Sequence, residues 1–319
     1  MNGTKNLARD GKLRIFDEQA CFPSLVGGLQ QQSVYLSTAN ILLSLTAFLG
    51  NSVILVALHK ESSLHPPSKL LYRCLATTDL LVGLVCQPLH AAYWMSVSYE
   101  HWSLCRFAYD TFSVSAYALC SVSLLTMTAI SVDRLLALLL GLRYRELVTL
   151  KRTYIIVATF WVLSGFTALS YLLDPRIATW YTSLARPCCI FIALALYIKI
   201  SRSLSRHQAH VQDHVQQQPN QPNALNMAQY RRAVYSALWV QLALVVCYVP
   251  FSIVETVIAF SKTYSSHLVI NWGIALSLVY CNSTLNPFIY YWRIREVRRA
   301  VKHTVRQALH LHGQEAIET

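Results

Sequence analysis

Seven long apolar stretches constrain this chain more than any other feature. A helix of roughly 20 predominantly apolar residues crosses the hydrocarbon core of a bilayer. Val34–Leu58 and Thr153–Leu173 qualify without a charged residue. Leu70–Tyr93 holds Arg73 near one end and Asp79 in its interior. Ser103–Leu140 is longer than a span and is expected to project into the cytosol. Ala233–Phe260 carries one acid, Glu255, and His267–Trp292 carries no acid, lysine or arginine. The fifth stretch, Ile177–Ile200, is interrupted by Arg186-Pro187, yet a span starting later, at Cys189, would be too short to cross. The expected fold class is an all-α membrane protein, a seven-transmembrane helix bundle with an amphipathic eighth helix.

Composition agrees. The chain is 54% hydrophobic and 13% charged, against about 45–50% and about 25% in soluble domains. A net charge of +12 raises nucleic acid as a partner, but the basic residues are placed for a membrane instead. Of 27 lysines and arginines, 19 cluster at alternate connections: Lys60 to Arg73, Arg134 to Arg152, Lys199 to Arg232, and Arg293 onward. This is the positive-inside pattern, with the N-terminus outside and the C-terminus in the cytosol. Membrane lipids are thus expected partners and nucleic acid is not. The nine cysteines are scattered, with no CxxC and no metal-ligand spacing.

The expected organisation is an extracellular tail over residues 1–33, a seven-helix domain over 34–292, and a cytoplasmic eighth helix and short tail over 293–319. The tail has no apolar core of signal-peptide type, so the first span is expected to direct insertion; Asn2-Gly3-Thr4 is a glycosylation sequon. After Trp292, Ile294, Val297, Val301, Val305 and Leu309 recur at helical spacing between basic residues, which suits a helix lying on the inner face of the membrane. Residues 207–226 are rich in Gln, Asn and Pro and read as a solvated loop, with His207, His210 and His214 on a helix extension.

Several polar groups sit where lipid penalises them: Asn51, Asp79, Ser123, Asn282, Ser283, Asn286, and the pair Asp133-Arg134. An intramembrane carboxylate marks a functional site by default, although networks of such groups also hold helices together. One carboxylate among amide and hydroxyl oxygens suits a hard monovalent cation or a proton. Pro88, Pro250 and Pro287 would each kink a helix and free a carbonyl.

Six motifs occur in order, spread over six of the spans: Gly50-Asn51-Ser52-Val53, Leu75-Ala76-Thr77-Thr78-Asp79, Asp133-Arg134-Leu135, Trp161, Cys247-Tyr248-Val249-Pro250 and Asn286-Pro287-Phe288-Ile289-Tyr290. Together these resemble the signatures of rhodopsin-like (class A) G-protein-coupled receptors, loosely those of the melanocortin and adenosine receptor neighbourhood. The resemblance implies a plasma-membrane receptor that takes an extracellular small molecule or peptide and activates a heterotrimeric G protein. It implies a G-protein crevice at Asp133 and Arg134, with Tyr197 and Tyr290 moving in on activation and Leu142 packing on the G-protein α subunit. Pro250, Asn286 and Pro287 would carry the helix rearrangement. Asp79, Ser123, Asn282, Ser283 and Asn286 match a sodium pocket, the one ion expected; no other cofactor is. Ala116, Tyr117, Cys120, Tyr248, Phe251, Glu255, Leu276 and Tyr280 match the ligand cavity, and Arg186 lies near its upper half, either paired with Glu255 or facing the ligand. Ala116 stands where amine receptors of the family carry an aspartate, which argues against a monoamine.

There are departures. Leu135 and Tyr248 replace the family's usual Tyr and Trp, and Tyr230-Arg231-Arg232 offers no acid at the start of the sixth helix. Arg134 would then be restrained by Asp133 alone. The family's Cys at the outer end of the third helix, here Cys105, normally bonds to the next extracellular loop, but that loop, roughly Leu172–Arg176, has no Cys. Cys188 and Cys189 fall near mid-membrane. Two readings stay open: a Cys21–Cys105 bond that folds the tail over the cavity, or two free thiols and a mobile tail. Among rival functions, a transporter would show an internal repeat or several acid-lined spans, and neither is seen. A retinal protein needs a lysine in the seventh span. An enzyme needs a nucleophile–base pair or metal spacing. A seven-helix receptor that does not couple remains the other alternative.

Overall fold

The computed structural model describes residues 16–60, 64–140, 143–217, 223–261, 264–293, 297–303 and 306, with only the backbone course over 203–238. Seven helices are long and apolar enough to cross a membrane. Helix 1 is Gln30–Lys60, helix 3 Trp102–Leu140, helix 4 Leu150–Leu173, helix 5 Pro175–Gln217, helix 6 Asn223–Phe260 and helix 7 Ser266–Arg293. Helix 2 spans Pro66–Ser98. No strand occurs among the described residues.

Local chemistry sets the boundaries. Helices 2 and 5 open on prolines, whose missing N–H is no loss in a first turn. The Asp174 carboxylate accepts the Arg176 N–H at 2.9 Å, so a single residue separates helix 4 from helix 5. Pro187, Pro250 and Pro287 lie inside helices 5, 6 and 7 without ending them. Pro88 has the clearest local effect. The turn Val82–Cys86 before it is a π-turn, in which the Gln87 N–H reaches back five residues to the Val82 carbonyl. Extra width there is filled from helix 1: Ser44 Oγ donates to the Gly83 carbonyl at 2.6 Å. A Cβ at Gly83 would meet the Phe48 nitrogen at 3.0 Å, so the close approach of helices 1 and 2 needs glycine.

The helices close into a ring in which helix 3 packs against helices 2, 4, 5 and 6, and helix 7 closes onto helix 1. The bundle is inverted relative to a soluble protein. Leu42, Leu49, Val162, Phe166 and Leu172 are exposed around the outside, while Asn40, Asn51, Thr78, Asp79 and Asn286 are fully buried. That pattern fits a bilayer as solvent, since buried amides and carboxylates find partners that lipid cannot offer.

Several boundaries shift from the sequence expectation: helix 5 runs on to Gln217 and helix 6 starts at Asn223, so residues 207–217 and 223–226, expected as a solvated loop, are helical. Helix 1 starts at Gln30, four residues before Val34, and the described part of the tail is docked rather than free. Single turns Phe16–Gln19 and Pro23–Val26 carry Phe16, Ala20, Leu25 and Val26 into the core. Residues 297–303 are helical, and Val297 and Val301 are buried in the same core, so the bundle itself covers that apolar side. Ile294, Val305, Leu309, the Asn2 sequon and the side chains of His207, His210 and His214 lie outside the described residues.

Candidate functional site

Three polar centres lie along the bundle, and helix 3 contributes to each. Midway, the Asp79 carboxylate accepts Ser123 Oγ at 3.1 Å and Asn286 Nδ2 at 2.7 Å. Ser283 also reaches this carboxylate with its side chain, while its backbone carbonyl accepts Asn51 Nδ2 at 3.0 Å. Asn282 departs from the expected set, because its Nδ2 turns to Met127 Sδ at 3.1 Å. The Oδ1 atoms of Asn282 and Asn286 are buried without a hydrogen-bond partner. Asn286 bonds the carboxylate through its Nδ2, so an orphaned amide oxygen stands beside a charged one and hydroxyls, a donor set that fits a hard monovalent cation. Pro287 packs against Gly50, where an added Cβ would meet the proline ring at 3.0 Å.

At the end of helix 3 away from the tail, Asp133 and Arg134 form a salt bridge. Arg134 Nε donates to Asp133 Oδ2 at 3.0 Å and Nη2 to Ser68 Oγ at 2.5 Å. Ser68 Oγ donates to Asp133 Oδ2 at 3.0 Å, and Tyr144 Oη donates to Asp133 Oδ1 at 2.5 Å. Arg134 is therefore not restrained by Asp133 alone, which corrects the sequence expectation: Ser68 from helix 2 and Tyr144 from the turn Tyr144–Leu147 complete the clasp. Burial and the Asp133 carboxylate push the Tyr144 phenol up to about 12, so it stays a donor at any physiological pH. Tyr290 is buried edge-on against Tyr72, with ring centroids 5.3 Å apart, and Tyr197 is partly exposed, so neither is among Arg134's hydrogen-bond partners. Leu142 and the side chains of Tyr230, Arg231 and Arg232 lie outside the described residues.

Toward the tail the helices part around a cavity of about 150 Å³. Eight of the nine expected ligand residues line it: Ala116, Tyr117, Cys120, Arg186, Tyr248, Phe251, Glu255 and Leu276. Tyr280 does not. It is fully buried behind the wall, 5.5 Å from the His90 ring. Arg186 and Glu255 form a salt bridge between helices 5 and 6, and the Arg186 guanidinium also sits 4.8 Å from the Phe251 ring. The two charges thus serve each other.

A short spine of bonds ties the tail over this cavity. Cys21 and Cys105 are joined in a disulfide, with Cα atoms 5.9 Å apart. Tyr93 Oη donates to the Ala20 carbonyl at 3.0 Å, Arg106 Nη1 to the Asp17 carbonyl at 2.7 Å, and Ser266 Oγ to the Leu25 carbonyl at 2.7 Å. Phe16 and Asp17 consequently line the cavity, with Tyr109, Phe112 and Trp272 from helices 3 and 7. Sequence reasoning missed these five. Their signal was the Cys21–Cys105 alternative itself, since Cys105, Tyr109, Phe112 and Ala116 share one face of helix 3. Burial, despite the Tyr109 hydrogen bond, pushes the Asp17 carboxyl up to about 6.

The rhodopsin-family seven-transmembrane receptor model matches residues 50–189 and 174–290. The chain belongs to that family. This receptor is also similar to trace amine-associated receptor 13c of Danio rerio, at 25% identity over 312 residues covering 85% of this chain and 87% of the relative. The receptor is a multi-pass membrane protein of a G-protein-coupled family, and that family is not enzymatic.

Proposed function

We propose that this receptor lies in the plasma membrane with its N-terminus outside, takes an extracellular ligand into the 150 Å³ cavity, and activates a heterotrimeric G protein at the Arg134 end. The observation that carries the reading is the placing of a half-buried Arg134, clasped by buried Asp133 and Ser68, and a tail-capped cavity at opposite ends of helix 3. A ligand that draws helices 5 and 6 about the Arg186–Glu255 pair would shift the bundle between two packings, and Pro250 and Pro287 supply the places to bend. Opening the Arg134 clasp would free the guanidinium for the G protein, with Tyr197 and Tyr290 closing beside it. The basic connections at Arg134 to Arg152 and Arg293 onward support a cytosolic Arg134 end.

Asp79, Ser123, Ser283, Asn286 and, after a turn of its amide, Asn282 would hold a sodium ion that favours the clasped packing. The test of the main reading is a cell assay of cyclic AMP and calcium, basal and after a ligand screen, on the wild type and Arg134→Ala. Ligand-evoked signals lost in Arg134→Ala support it. Ligand-evoked signals that persist unchanged in that variant sink it.

A further inference from the structure

One wall of the cavity comes from the tail and not from a spanning helix. Asp17 and Phe16 line it, fixed by the Cys21–Cys105 bond and by Arg106 on the Asp17 backbone oxygen. Asp17 Oδ1 accepts the Tyr109 hydroxyl at 2.5 Å. Rings crowd around it. Trp272 lies 5.6 Å from Phe16, 5.9 Å from Tyr109 and 6.0 Å from Phe112, and all four rings line the cavity.

Charges in the neighbourhood do not cancel. Arg186 is taken by Glu255, and Arg106 Nε by Asp110 at 2.9 Å. Arg106 meets the Asp17 backbone, and among the described residues no cation forms a salt bridge with its carboxylate. Of the described residues Asp17, Asp110 and Glu255, set against Arg106 and Arg186, Asp17 is the one in no salt bridge, and it lies beside aromatic surface. An organic cation gains from both, because ring quadrupoles and a carboxylate attract the same sign. Helix 3 itself places Ala116 in the cavity, so the counter-charge comes from the tail instead. Deeper down, Leu124, Phe251, Leu276 and Val279 ask for an apolar body. One water needs ~10–15 Å³ on the same scale, so the space suits a ligand of roughly ten heavy atoms.

We propose that Asp17, with the rings of Phe16, Tyr109, Phe112 and Trp272, forms a cation subsite at the tail end of the cavity, and that the ligand is a small organic cation with an apolar body. This deepens the ligand half of the proposed function and rests on it. The tail is then part of the binding site and not a loose cover.

The probe is benzyltrimethylammonium, measured by calorimetry on the purified full-length receptor. Its controls are neopentylbenzene, the neutral carbon isostere, and phenylacetate, an anion. The expected result is saturable binding of the cation, about tenfold or more above either control, and a loss of about tenfold in Asp17→Asn that Asp17→Glu largely restores. Peptide mapping of each variant checks that Cys21 and Cys105 remain bonded, so that a displaced tail is not read as a lost charge. Should Asp17→Asn lose that bond, the cation-against-isostere comparison on the wild type decides alone. Equal affinity for cation and isostere, preference for phenylacetate, absence of cation binding, or an unchanged affinity in a bonded Asp17→Asn each overturns the proposal. No G protein enters the measurement, so a receptor that binds without signalling fails only the coupling reading, and one that signals without binding the cation fails only this one.

Discussion

Tyr144 Oη donates to Asp133 Oδ1 across 2.5 Å, so a side chain from the connection after helix 3 holds the carboxylate that holds Arg134. The Asp-Arg pair is a motif residue pair, but its restraint is built by Ser68 and Tyr144. A hydrogen bond to a charged group is worth ~1.5–3 kcal/mol. Tyr144→Phe keeps the ring and removes that bond together with the hydroxyl's 3.1 Å contact to Ser68 Oγ. It should raise ligand-free G-protein activation several-fold at matched surface expression. Basal activity equal to wild type would show that the clasp does not set the resting state.

Asp79 makes a second prediction. Sodium shifts the two packings only by binding one of them better, and it stabilises that packing by mass action. Purified receptor should melt at a higher temperature in sodium chloride than in the same concentration of N-methylglucamine chloride. Asp79→Asn should remove the difference, since the amide replaces the one charged oxygen donor in the cluster. A melting temperature indifferent to the cation in wild type would refute the sodium reading.

The bundle was legible because lipid leaves so few choices. Apolar length located all seven spans, and Asp79 and Asn286 drew attention because each costs so much where it lies. The cavity lining was legible through family motifs, since eight of the nine residues expected around a cavity line this one. What could not be read was chemistry between segments distant in sequence. Nothing local marks Asp17, since an acid in a polar tail is ordinary; only its tie through Cys21 to Cys105 brings it to the cavity. Tyr144 was hidden for a similar reason, as it lies inside the basic cluster from Arg134 to Arg152 that reads simply as a cytosolic connection. Tyr280 erred the other way. It has the right helix position, but it is fully buried with its ring 5.5 Å from His90 and is not part of the cavity lining.

The Arg186–Glu255 pair predicts a contrast between single and double variants. Both side chains are about nine-tenths covered, at 10% and 11% exposure. Removing one partner from a buried pair strands the other charge and costs ~3–5 kcal/mol, whereas replacing both with apolar residues is often neutral. Glu255→Leu should therefore lower the melting temperature of the purified receptor sharply. Arg186→Met with Glu255→Leu should recover most of the loss. A double variant no more stable than Glu255→Leu would mean that Arg186 serves something other than its partner.

Asp17 gives the tail a pH dependence whose sign follows from burial. Its carboxyl lies at about 6 when docked, against an ordinary 3.8, chiefly because burial disfavours the charged form. A raised folded value means that docking binds a proton. The stabilising contribution is fully present below 3.8 and is lost as pH rises through about 6. The groups facing Asp17 are Tyr109, Arg106 and Asp110 of helix 3, Glu255 of helix 6, and Tyr171 and Tyr264. Docking should therefore tighten by roughly tenfold between pH 7.5 and pH 5, because uptake of one proton below about 6 changes the docking equilibrium by about a factor of ten for each pH unit. Hydrogen exchange at the amides of Phe16–Gln19, corrected for the intrinsic rate, reads it directly. Protection should rise toward pH 5 in the wild type and stay flat in Asp17→Asn. Equal protection at both pH values in the wild type would mean that Asp17 stays hydrated and the tail is held by its disulfide and backbone bonds alone.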